Sequence, residues 1–208
     1  VYLDAIAEQG DYAMARIDNK TALVVGGAKG IGLAVAERLS AEGATVFLTG
    51  RRDDEVKAAV LNLSGDVHGL VADAGVPEDL ERIVATVVEA RGRLDYLVLN
   101  AGLSEPSTIL DETPEHFDRH FGVNVRGMVF GLKAALPALA RGSSVILMGS
   151  IADGMGIPPY STYAATKAAV RSYARSWARE LAPMGIRVNV VAPGPTDTAM
   201  MAAVPEEG

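Results

Sequence analysis

The chain has 208 residues, 49% of them hydrophobic, no cysteine and a formal net charge of −7, enough for one domain with a substantial core. The acidic balance disfavours nucleic acid or an anionic membrane as partner, and the lack of thiols excludes disulfides, thiolate metal sites and a cysteine nucleophile. No apolar run approaches a bilayer span and no basic-then-apolar signal opens the chain, so a cytoplasmic setting is expected.

Residues 1–18 are acidic and lack strand alternation. They read as an appended or frayed arm, or as a short capping helix, ahead of a single domain over 19–208. The first strand is predicted at Ala22–Val25 and runs into Gly26-Gly27-Ala28-Lys29-Gly30-Ile31-Gly32. A helix over Ile31–Ala41 follows and stops at Gly43. Glycines at that junction let the backbone turn tightly and approach a pyrophosphate, while the N–H groups of the helix start face the anion. Gly26, Lys29, Gly30, Ile31 and Gly32 are therefore candidate cofactor residues.

The second strand, Thr45–Thr49, ends in Gly50-Arg51-Arg52. A carboxylate there would hold the ribose hydroxyls of NAD and repel a 2′-phosphate. This chain has two guanidiniums instead. Arg51 and Arg52, with Lys29 from the glycine loop, point to NADP(H) rather than NAD(H), because guanidinium pairs with phosphate in a fork.

A weaker helix is expected at Asp53–Leu63, a strand at Val67–Val71, and a helix at Glu78–Arg91 with Leu80, Ile83, Val84 and Val87 on one face and Gly92 at its end. The next strand is Tyr96–Leu99. Thr113 as N-cap and Pro114 at the first helical position open a long helix to about Leu139. The strand Val145–Met148 leads to Ser150, the helix Tyr160–Leu181 carries Tyr163 and Lys167, and the strand Arg187–Val191 follows Pro183 and Gly185. Strand and helix alternating six times imply a parallel sheet with right-handed crossovers, an α/β fold.

Lys167 lies one helical turn after Tyr163 and on the same face. Free tyrosine ionises near pH 10, and a nearby cation stabilises the phenolate, so the pair suits proton transfer to or from a carbonyl oxygen. Ser150 would hold that oxygen and stabilise charge developing on it. Ser150 does not sit in a Gly-x-Ser-x-Gly elbow, because Met148 occupies the first glycine place. His116 and His120 have metal-ligand spacing without an evident third ligand, and are read as a solvated helix face. Arg171, Arg175 and Arg179 are read as a solvent stripe.

The ordered pieces are Gly26-x-x-x-Gly30-Ile31-Gly32, Asp73-Ala74, Asn100-Ala101-Gly102, Asn124, Ser150, Tyr163-x-x-x-Lys167 and Pro193-Gly194. In this order and at these intervals, the chain resembles the short-chain dehydrogenase/reductase family over about residues 20–202, and its NADP-preferring members in particular. The resemblance implies a doubly wound, Rossmann-type parallel sheet in three α/β/α layers, with the active site at the carboxyl ends of the strands. It implies that Asp73 and Ala74 meet the adenine, that Asn100, Ala101 and Gly102 line the adenosine side, and that Pro193, Gly194, Thr196 and Thr198 lie along the nicotinamide. Lys167 would also bond the nicotinamide ribose, and Asn124 would position a water against Lys167. Pairing of the two long helices between subunits would give a homodimer or homotetramer.

Three departures stand out. Val25 replaces the usual threonine before the glycine loop, and Leu99 replaces the first asparagine of Asn-Asn-Ala-Gly. Family members also continue well beyond this C-terminus, where the substrate lid, another helix and an edge strand lie, so the lid is expected to be absent from this chain. The function expected is NADP(H)-dependent interconversion of a small-molecule carbonyl and alcohol, with no metal. A non-turnover NADP-binding redox sensor and an NAD-linked alcohol dehydrogenase are the alternatives. The loops Leu103–Pro106 and Asp153–Pro159 are expected to border the substrate.

Overall fold

A computed structural model of the protein describes residues 17–198. The arm expected over 1–18 falls almost wholly outside them. Ile17 is already joined to the domain, since its N–H donates to the Glu42 carbonyl at 3.0 Å and its side chain packs on the core.

Six strands form one sheet: β1 Thr21–Val25, β2 Thr45–Gly50, β3 Val67–Val71, β4 Leu94–Leu99, β5 Leu139–Met148 and β6 Arg187–Val191. Their order is β3-β2-β1-β4-β5-β6, and every pairing is parallel. The chain leaves β1 in one direction and returns at β4 on its other side. The carboxyl ends of β1 and β4 therefore flank the crevice where doubly wound sheets bind their ligands.

Strand alternation sorts the core into two layers. Leu23, Val25, Phe47, Leu97 and Leu99 face one side, with Leu80, Ile83, Met128, Leu132, Val170 and Ala174. Ala22, Val24, Val46, Leu48 and Val98 face the other, against Ala36, Val56 and Ala59. The first layer is covered by α3 (Pro77–Arg91), α5 (Gly127–Ala135) and α6 (Ser161–Leu181). The second is covered by α1 (Gly30–Ala41) and α2 (Asp53–Asn62). Each fully buried leucine or isoleucine contributes about 1.5–3 kcal/mol. Gly92 ends α3 in the left-handed region at φ 73°, which glycine enters without a Cβ penalty.

Two elements differ from expectation. The helix expected from Pro114 to about Leu139 is broken into α4 (Pro114–Phe121), a π turn at Gly122–Arg126, α5 and a 3₁₀ turn at Leu136–Ala138. α5 runs close under the end of β3: a Cβ on Gly127 would lie 2.4 Å from the Ala74 carbonyl oxygen. β5 begins at Leu139, well before Val145, and its pairing with β4 shifts register between Leu94 and Tyr96. Arg141 and Gly142 there are exposed, so no apolar run marks this stretch. Arg171, Arg175 and Arg179 are exposed as expected. Among the described residues no helix is long and apolar enough to cross a membrane.

Candidate active site

Three glycines shape the loop after β1, each for its own reason. Gly26 has φ +80°, and a Cβ there would lie 2.7 Å from the Ala101 backbone. A Cβ on Gly32 would lie 2.1 Å from the Gly26 oxygen, so the helix could not close on the loop. Gly30 has φ +57° and looks toward Thr198, whose Cγ2 would be 3.5 Å from an added Cβ. The loop is braced by side chains beyond it: Thr49 accepts the Gly26 N–H at 3.0 Å, and Asn100 donates its amide to the Gly26 carbonyl at 2.7 Å. Thr49 thus steadies the turn that Val25, lacking a hydroxyl, cannot. The result is a backbone cradle at the start of α1, which fits a pyrophosphate. Thr198 lies across from Gly30, while Thr196 donates to the Gly194 carbonyl at 3.0 Å and the Ile151 N–H donates to the Pro193 carbonyl at 3.1 Å.

Arg51, Arg52 and Lys29 gather at the end of β2, but not as three open cations. Glu55 on α2 takes both Lys29, at 3.4 Å, and Arg52. Arg51 is exposed and has no ion pair among the described residues. Asp73, after β3, turns its carboxylate back on its own loop and accepts the Gly75 N–H at 2.8 Å. Ala74 beside it is buried.

The second group forms around the ends of β4 and β5. Ser150 caps the short turn Ile151–Gly154, and its Oγ accepts the Ala152 N–H at 3.1 Å. That leaves the hydroxyl hydrogen to donate elsewhere. The turn packs on α6 and is tied to it by Asp153 and Arg171 at 2.9 Å. From α6, Lys167 points inward and is almost wholly buried; its ammonium donates to the Met148 carbonyl at 2.8 Å. The same Nζ lies 5.6 Å from the centroid of the Tyr163 ring. Burial pushes the Lys167 pKa down to about 8, because desolvation penalises the charged form.

Asn124 is fully buried in the π turn. Its Oδ1 accepts the Leu103 N–H at 2.9 Å, and its Nδ2 donates to the Leu103 carbonyl at 2.9 Å and to Thr166 Oγ1 at 3.0 Å. Gly102 separates it from Lys167: a Cβ there would be 3.3 Å from Asn124 Oδ1 and 3.5 Å from Lys167 Nζ. Chain positions 102, 124 and 167 thus meet at one point, and α6 packs directly against the π turn.

The histidine pair corrects the reading of a solvated face. His120 is fully buried and the His116 side chain is 13% exposed, because the loop after β4 folds back over α4. The Glu105 N–H donates to His120 Nε2 at 3.2 Å, and His120 Nδ1 bonds the His116 carbonyl at 2.9 Å. Glu105, His116 and His120 bring candidate ligand atoms within 4.8 Å of one another. However, the Glu105 N–H occupies His120 Nε2 and Arg119 pairs with the Glu105 carboxylate, so the group is a closed hydrogen-bond network.

The two loops expected to border a substrate do come together. The Ser107 N–H donates to the Pro159 carbonyl at 2.8 Å, and a cavity of about 350 Å³ lies between Pro106, Ser107, Thr108, Asp111, His116 and Pro159. Sequence reasoning missed Thr49, Glu55, Thr166 and the Met148 carbonyl. The first three are ordinary polar residues without a motif, and the fourth is a backbone atom.

Residues 20–208 match the short chain dehydrogenase family. The chain is 42% identical to "Oxidoreductase asL5" of Sarocladium schorii over 87% of this chain and 74% of that one. It is 40% identical to human "Dehydrogenase/reductase SDR family member 4" over 85% of this chain and 66% of that one. These curated relatives are therefore longer than the chain. A short chain dehydrogenase from Burkholderia cenocepacia J2315, solved in complex with NADP, superposes with a TM-score of 0.86 at 38% identity, covering 89% of this chain and 78% of that one.

Proposed function

The chain belongs to the short-chain dehydrogenase family of oxidoreductases, and from that premise we propose that it interconverts a small-molecule carbonyl and alcohol with NADP(H), using Tyr163 as the acid/base group. The observation that carries this reading is the single buried ammonium. Lys167 is held at the end of β5 by the Met148 carbonyl and stands beside the Tyr163 ring. A desolvated cation is costly to keep, and here it faces the group that must carry negative charge after giving up its proton.

A nicotinamide held by these residues would supply the hydride in reduction and take it up in oxidation. In the reducing direction the Tyr163 hydroxyl would give its proton to the carbonyl oxygen. Ser150 donates its hydroxyl hydrogen to the same oxygen and stabilises charge building there. Lys167 stabilises the phenolate that remains, until Tyr163 recovers a proton from solvent. Asn124 and Gly102 border the space beside Lys167 through which that proton passes. Gly26, Gly30 and Gly32 would hold the pyrophosphate, with Asp73, Ala74, Asn100 and Ala101 toward the adenosine and Pro193, Gly194, Thr196 and Thr198 toward the nicotinamide.

Support for NADP comes from Arg51, exposed at the end of β2 in the place of an acid, and from the relative solved with NADP. Glu55 holds Lys29 and Arg52, so they would exchange this partner for the 2′-phosphate. Self-association through the long helices is supported by the apolar side chains α4 and α6 leave outside, including Phe117 and Tyr173.

The test is NADPH oxidation with acetophenone, benzil and hexanal, set beside cofactor titrations with NADPH and NADH. Tyr163→Phe should lower turnover by about 10²–10⁴-fold with NADPH affinity retained, and NADPH should bind at least about tenfold more tightly than NADH. Undiminished turnover in the phenylalanine variant would remove the mechanism, and equal affinities would remove the role given to Arg51.

A further inference from the structure

His116 is placed so that both ring nitrogens face acceptors. Its Nδ1 lies 2.5 Å from Glu112 Oε1, and its Nε2 lies 3.3 Å from the Glu105 backbone oxygen. Only a doubly protonated imidazolium can donate from both nitrogens. The ring tilted against it is different. His120, with ring centroids 4.2 Å apart, donates from Nδ1 to a carbonyl and accepts an N–H at Nε2, which is the pattern of a neutral ring. Burial first, and then the charge on His116, press His120 below the ordinary histidine range.

The chain of bonds does not stop at Glu112. Its second carboxylate oxygen accepts the hydroxyl of Thr162, the residue before Tyr163. That bond first, and His116 after it, hold the Glu112 carboxyl below its usual range against the effect of burial. The connection runs from the Glu105 backbone through His116 and Glu112 to Thr162, and so from the loop after β4 to the first turn of α6. This loop is fastened at its other end by the uncharged Asn124 amide at Leu103. At the Glu105 end the ties run through His116, His120 and Arg119. The charged and titratable groups around His116 are Glu112 before α4, Glu105 and Asp111 from the preceding loop, and Arg119 and His120 on α4 itself. From α6 come the Thr162 hydroxyl and the phenols of Tyr160 and Tyr163 next to it in the chain.

We propose that His116, as an imidazolium, is a positioning residue that fastens the loop Leu103–Ser107 to the start of the helix carrying Tyr163, so that the loop loosens and substrate binding weakens as His116 loses its proton. This rests on the reading of Tyr163 as the acid/base group. One bond of the two must be lost on deprotonation, because a neutral ring retains a single N–H. The freed partner is either the Glu105 carbonyl or Glu112, so the tie that runs through His116 opens while the Glu105 N–H stays on His120 and the Glu105 carboxylate on Arg119.

The chain holds three histidines, so ring nitrogen NMR of the labelled full chain between pH 5 and 9 resolves them. At pH 6 His116 should show both nitrogens protonated while His120 shows one. As His116 titrates, exchange of the Glu105 and Ser107 amides, corrected for intrinsic rate, should quicken about tenfold, and KM for the fastest of the three probe carbonyls should rise by about the same factor at steady kcat. In His116→Gln, which has no ring to protonate, both pH dependences should vanish. A neutral His116 at pH 6, or loop amides indifferent to its titration, overturns the proposal without any variant having to fold. A KM flat with pH in a protein that does oxidise NADPH overturns it too. The NMR and exchange readings need no turnover, so absence of NADPH oxidation would count against the redox reading alone.

Discussion

Lys167 shows how one side chain can work against the fold that holds it. Its pKa falls from the ordinary 10.5 to about 8 because burial disfavours the ammonium. Between those two values the unfolded chain binds the extra proton, so stability rises with pH across that window. Below pH 8 the buried charge penalises the fold by about 3 kcal/mol, at 1.36 kcal/mol per unit. The Met148 carbonyl returns part of this as a hydrogen bond worth about 1–2 kcal/mol. Lys167→Met is therefore expected to unfold in urea at pH 7 with a free energy about 1–3 kcal/mol higher than the unsubstituted chain, while its carbonyl reduction is lost. The rise in stability between pH 7 and 10 should disappear in the same variant. A less stable methionine variant, or a persisting pH dependence, would show that the ammonium is not penalised as its burial implies.

Among the elements, the segment from Pro114 to Ala138 places one amide. An uninterrupted α-helix keeps its N–H groups on i−4 carbonyls, whereas the π turn at Gly122–Arg126 inserts a wider step around Asn124, as such turns often do at functional sites. All three bonds from the Asn124 amide go to Leu103 and Thr166, so it joins the loop after β4 to α6. Asn124→Ala would leave the half-buried Leu103 N–H and carbonyl without their partner. The expected loss is about 2–4 kcal/mol by urea unfolding, with faster amide exchange at Leu103. A loss below about 1 kcal/mol would mean that water replaces the amide without penalty. His116 meets the same loop at its far end, and the two anchors differ in kind: one is an amide that does not titrate, the other an imidazole.

For the molecule as a whole, the junction of β1 and β4 carries the site at its carboxyl end and a charged cluster at its amino end. Asp95 on β4 accepts the Thr21 N–H at 3.0 Å and meets Lys20 at 3.1 Å and Arg93 at 2.8 Å. Burial alone would raise its pKa, but these three donors together outweigh it and hold the carboxyl below the ordinary range. A carboxyl depressed in the folded state contributes stability that is complete above its unfolded value of about 4 and fades as pH falls through the lower folded value. Asp95→Asn should accordingly lower stability at pH 7 by about 1–3 kcal/mol and flatten the acid limb of the stability curve below about pH 4. An unchanged acid limb would place the acid sensitivity elsewhere. The edge strands β3 and β6 are more open than this centre, with Val71 and Val191 exposed.

Local chemistry sufficed for the glycine loop, the caps at Thr113 and Gly92, the strand runs and the Tyr163–Lys167 spacing, because each depends on residues a few positions apart. It also sufficed for the parallel sheet, since alternating strands and helices leave few other topologies, whereas the doubly wound order was implied by the family resemblance. It did not reveal that β5 starts at Leu139, since pairing with β4 rather than an apolar run extends that strand. The burial of His120, the capture of Lys29 by Glu55, and the meeting of Gly102, Asn124 and Lys167 were likewise decided only by the tertiary structure. Burial and hydrogen-bond partnership depend on what the rest of the chain brings across the gap, and the residues concerned lie 15 to 65 positions apart.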